Sequence, residues 1–75
     1  MNKEVMENYL RSKIELYYSI ATDDSQRDAY RIRCYGVVKG FQMTLAMLCG
    51  DIVDVKPIEV NGELVRWKKT GSGFW

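Results

Sequence analysis

Histidine is absent from this 75-residue chain, proline occurs once and cysteine twice. Without histidine the commonest general base and metal ligand is missing. No Cys-x-x-Cys, His-Glu-x-x-His, phosphate-loop or dinucleotide-binding pattern occurs either. Asp51, Asp54, Glu59 and Glu63 lack the spacing of a calcium loop. Catalysis would need unusual carboxylate or thiol chemistry, so an enzyme is not expected, and no cofactor or metal is implied. Cys34 and Cys49, if on one helix, are separated by fifteen residues at 1.5 Å each, or roughly 22 Å, too far to bridge. They read as reduced thiols of a cytoplasmic protein. An excess of one charge is also missing: the net charge is +1, so no whole-chain field draws the protein to nucleic acid or an anionic membrane. Long apolar runs are lacking as well. The opening residues carry Lys3, Glu4, Glu7, Arg11, Lys13 and Glu15, unlike a signal peptide. Lys39 and Gln42 interrupt the most apolar stretch before it is long enough to span a bilayer.

What is present is apolar surface. Hydrophobic residues make up 47% of the chain, which marks a folded domain and not a disordered tail. A chain this short has little with which to cover that surface, and oligomerisation is the least contrived remedy. The pattern predicts an α+β fold: a two-helix hairpin followed by a C-terminal β-hairpin packed on the helices. Residues 1–70 form the single small domain, and 71–75 a flexible Gly-Ser-Gly link with a terminal aromatic pair.

Residues 3–21 predict an amphipathic helix. Val5, Met6, Tyr9, Leu10, Ile14, Leu16, Tyr17 and Ile20 share its broad apolar side, with Lys13 in their midst. Lys13 either snorkels to water or pairs with a carboxylate across an interface. Thr22, Asp23 and Asp24 stop this helix. Ser25 with Asp28 resembles a capping box for a second helix over about 26–49, with Gly50 as its C-terminal cap. At about 100° per residue, the second helix shows two seams. Tyr30, Cys34, Val37, Phe41, Leu45 and Leu48 form one; Arg33, Gly36, Gly40, Met43 and Met47 form the other. The strip left for water carries Arg31, Tyr35, Lys39, Gln42, Ala46 and Cys49. Beyond Gly50 the pattern alternates. Asn61-Gly62 predicts a type I′ turn that sets Val60 opposite Glu63, Ile58 opposite Val65 and Lys56 opposite Trp67. Pro57 lacks an N–H, so its strand is an edge or begins there. Residues 51–56 are a loop or an additional strand.

Two features point to binding. A mid-helix glycine costs about 1 kcal/mol relative to alanine, so Gly36 and Gly40 on one side want a reason. Close approach of another helix supplies one, with Met43 and Met47 extending the contact. That helix belongs to a second copy, making Arg33, Gly36, Gly40, Met43 and Met47 the oligomer interface, or else the seam is filled within the chain. Arg66-Trp67-Lys68-Lys69, followed by Phe74 and Trp75, interleaves positive charge with rings. It reads as a surface for a protein partner, as a solvated strand face with Trp67 in the core, or as a nucleic-acid or nucleotide site with phosphate contacts from Arg27 and Arg31. Phe74 and Trp75 either plug the core or reach into a partner. The leading expectation is a non-catalytic, homo-oligomeric protein-interaction module that occludes a target. Inhibitors and accessory regulators of this size are frequent among phage and mobile-element products.

Overall fold

The computed structural model describes residues 2–51 and 53–65, and the architecture is α+β: α1 (Lys3–Ala21), α2 (Asp28–Cys49), β1 (Glu59–Val60) and β2 (Glu63–Leu64). The two helices pack as an antiparallel hairpin. α1 starts where Asn2 accepts the Val5 N–H at 2.8 Å on its side-chain oxygen, satisfying a donor that the helix cannot satisfy itself. It stops at Thr22, whose hydroxyl and N–H both return to the Tyr18 carbonyl.

The start of α2 differs from the capping box predicted at Ser25. Arg27 is the N-cap and its side chain makes no capping bond. Ser25 instead donates its N–H and hydroxyl to the Asp23 carboxylate, at 3.0 and 2.7 Å. A carboxylate two residues back closes an Asx turn and outcompetes the helix terminus for the serine. Asp28 lies in the first turn of α2 and accepts from the Asn61 side chain at 2.9 Å, tying the hairpin turn to the helix. Gly50 ends α2 with φ +75°, a left-handed cap as expected.

The strands pair antiparallel with Val60 opposite Glu63, and the Val65 N–H bonds the Ile58 carbonyl at 2.8 Å. Positive φ at both Asn61 (54°) and Gly62 (79°) identifies the type I′ turn. The described residues between Asp51 and Ile58 form no strand and run as a loop. The Lys56–Trp67 pairing, Trp67 in the core and the 71–75 link lie outside the described residues.

Two apolar clusters share the helix interface. Leu10 and Ile14 pack with Val38 and Leu45, while Ala21, Cys34 and Tyr35 pack with Ile58 and Val60 from the hairpin. Tyr17 bridges both clusters and stacks on Phe41, with ring centroids 6.1 Å apart.

The strip expected to face water is covered. Arg31 is 6% exposed and Tyr35 2%, and Lys39, Gln42, Ala46 and Cys49 are all half-buried. The physical reason lies in the loop. Carbonyls of the loop, and that of Glu59 at the start of β1, are satisfied by helix side chains. Gln42 donates to the Val53 carbonyl, Tyr18 to that of Lys56 at 2.9 Å, and Arg31 to that of Glu59 at 3.0 Å. The polar groups on this side of α2 therefore serve the backbone of residues 53–59. Tyr30, assigned to the first seam, is exposed.

Candidate interaction surface

Residues 51–65 cover one broad side of the helix pair. On α1 the covered side carries Glu7, Arg11 and Tyr18, at spacings of four and seven. On α2 it carries Arg31, Gln42 and Cys49. Arg11 clamps the end of the loop to α1 through Asp51 at 2.7 Å and Glu7 at 3.0 Å. The hydrogen bond to Glu7, helped by the charge of both carboxylates and opposed by desolvation, raises the Arg11 pKa above its ordinary value.

Among the described residues, nothing covers the opposite side of the pair. Along α2 it presents Arg33, Gly40, Met43 and Met47, all exposed, with Gly36 half-buried among them. Met47 is 85% exposed. A Cβ built on Gly40 would meet nothing within 4 Å, so packing among the described residues does not account for this glycine. Beside it Val37, Gly40, Phe41 and Thr44, one helical turn after another, line a shallow groove of about 270 Å³. Along α1 the bare side carries Tyr9 and Leu16, the latter 48% exposed. Lys13 lies between them with its ammonium 5.4 Å from the centre of the Tyr9 ring, a cation–π contact.

Of the five interface residues expected on α2, Arg33, Gly40, Met43 and Met47 are exposed and Gly36 is half-buried, and nothing from the chain's described residues is seated on Gly40. Tyr9 and Leu16 on α1, and Val37, Phe41 and Thr44 in the groove, were not among them. Their signal lay in the breadth of the α1 apolar arc: Val5, Tyr9 and Leu16, spaced by four and seven, make a stripe of their own beside Leu10 and Ile14.

Arg27 is exposed, whereas Arg31 is buried and committed to the Ala21 carbonyl at 2.9 Å and that of Glu59. These two arginines do not form one phosphate-facing pair. The remaining partner-binding candidates, Arg66, Lys68, Lys69, Phe74 and Trp75, lie outside the described residues. Asp23 has its pKa lowered, first by the Ser25 hydroxyl and then by the Ser25 N–H, and these bonds punctuate the turn between helices. Glu7, Cys49 and Asp51 bring one ligand atom each within 4.8 Å of one another. The Arg11 guanidinium already bonds both carboxylates, and a cation would have to displace it. Among the described residues, no buried side-chain nitrogen or oxygen lacks a hydrogen-bond partner, and no helix is long and apolar enough to cross a membrane.

No family model, curated protein or solved structure matches this chain.

Proposed function

We propose that this chain is a small, non-catalytic protein-interaction module that assembles with itself through the bare side of α2 and acts by occluding a target, as an inhibitor or accessory regulator of the phage or mobile-element kind. The observation that carries the reading is the exposed strip of Gly40, Met43 and Met47, where a mid-helix glycine meets none of the described residues. Glycine weakens a helix, and a residue that weakens α2 without serving an internal contact is explained by close approach of another chain. Two free cysteines on one helix support a reducing, cytoplasmic setting. The hairpin and the basic, aromatic residues that follow it supply the surface for the target.

Size exclusion coupled to light scattering tests the self-association. The wild type is expected to run as a defined oligomer. Gly40→Leu is expected to run as a folded, smaller species, because the added side chain meets none of the described residues and obstructs a neighbouring copy. A wild type that stays monomeric at about 100 μM overturns the reading. That concentration lies well above the dissociation constants of stable dimers of this size class.

A further inference from the structure

We infer that two copies stack their bare helix faces into a four-helix core, Leu16 of α1 in each copy seated in the Gly40 groove of α2 in the other. This rests on the self-association proposed above and names its geometry. The fold is a thin slab, 16 Å along its shortest axis against 41 and 32 Å along the others. Among the described residues its helix layer is covered on one side, while the other side keeps Tyr9, Leu16, Met43 and Met47 exposed.

A second copy fits the uncovered side in extent. Helices of 19 and 22 residues are about 28 and 33 Å long, and two diameters of about 10 Å make the face roughly 20 Å wide. That flat area of roughly 600 Å² approaches the ~800 Å² that each partner of a stable dimer buries.

It also fits in relief. The face carries exposed Tyr9 and Leu16 on α1, Leu16 standing at the edge of a shallow depression shared with Ser12, Glu15 and Ser19, and beside them the groove of about 270 Å³ at Gly40. A two-fold axis along the helices and between the layers would set α1 of one copy over α2 of the other at unchanged height. The Tyr17–Phe41 stack fixes Leu16 level with Phe41, so Leu16 arrives over the groove. Both contacts are then made twice, as a closed two-fold interface requires. The helices would pack as in antiparallel bundles, with Gly40 permitting close approach. Both β-hairpins would lie on the outer surfaces, facing away from each other.

The test combines mass with cross-linking. Leu16→Asp and Gly40→Leu alter exposed positions on different helices, and circular dichroism confirms that each remains folded. The wild type is expected at twice the 8.7 kDa chain mass, and both variants at the mass of one chain. Leu16→Cys mixed with Thr44→Cys under mild oxidation is expected to give a disulfide-linked pair in several-fold excess over either variant alone or the wild type. If Gly40→Leu dissociates the dimer and Leu16→Asp does not, α2 pairs with α2. The four-helix stack is then wrong while the self-association stands. A dimer that survives both variants uses another surface and overturns both readings. A monomeric wild type overturns both, and if removing residues 66–75 then produces a dimer, the occupant of the face is the chain's own C-terminal segment.

Discussion

The two sides of the helix pair are built on opposite principles. The side covered by residues 53–65 is rich in polar groups, and those groups are used: arginine, glutamine and tyrosine donors each reach a backbone carbonyl between Val53 and Glu59. The bare side is mostly apolar, with methionine, leucine, tyrosine and a glycine exposed beside Arg33 and the half-buried Lys13. Polarity therefore predicts the wrong side for solvent. An irregular segment that lies on a helix asks for hydrogen-bond donors, whereas a helix or sheet face asks only for shape and apolar area.

Substitutions on the covered side should be costly and those on the bare side tolerated or stabilising. The largest effect is expected for Tyr35→Ala. It empties a site that is 2% exposed between the helices and the hairpin, at about 3–5 kcal/mol, and a marginally stable domain would lose its cooperative thermal transition. Arg31→Lys comes next. A lysine ammonium cannot reproduce the fork that bonds the Ala21 and Glu59 carbonyls. About 2 kcal/mol of destabilisation is expected for the carbonyls left unpaired, read as a lower urea midpoint at unchanged slope.

Gly40→Ala should move stability the other way, raising it by about 1 kcal/mol. The measurement belongs at dilutions where the melting temperature no longer depends on concentration. A loss of stability there would mean that the bare side is covered after all. The smallest effect concerns Asp23. Its folded pKa is lowered by the Ser25 hydroxyl and N–H, so the contribution is present above the ordinary carboxylate pKa and is lost as pH falls through the folded value. Asp23→Asn should lower the melting temperature slightly at neutral pH and converge with the wild type in acid, flattening the acid limb of the titration.

Much of the backbone was legible. The α1 limits, the Gly50 cap and the Asn61-Gly62 turn follow from local chemistry, because each is decided within about four residues. The start of α2 was not, because Asp23 competes for Ser25 and a capping pattern does not register a rival acceptor. The covering of Arg31 and Tyr35 was not either. A helical wheel separates arcs by angle but does not say which arc receives the next segment, and here the donors of Arg31 and Gln42 mattered more than their polarity. The strip of Arg33, Gly36, Gly40, Met43 and Met47 was legible as a surface because small and adaptable residues recur at helical spacing. The α1 half of the bare face was obscured by its continuity with the core stripe.

Arg31 also has a bearing on how the molecule opens. One guanidinium holds carbonyls ten residues before it and twenty-eight after it, so fraying of α1 and peeling of the hairpin break bonds to the same side chain. The two events are coupled and do not proceed as independent local fluctuations. In native-state hydrogen exchange, the Val65 amide, which bonds Ile58, should exchange with an opening free energy close to that of the last turn of α1. Replacing the arginine should split that shared value into two.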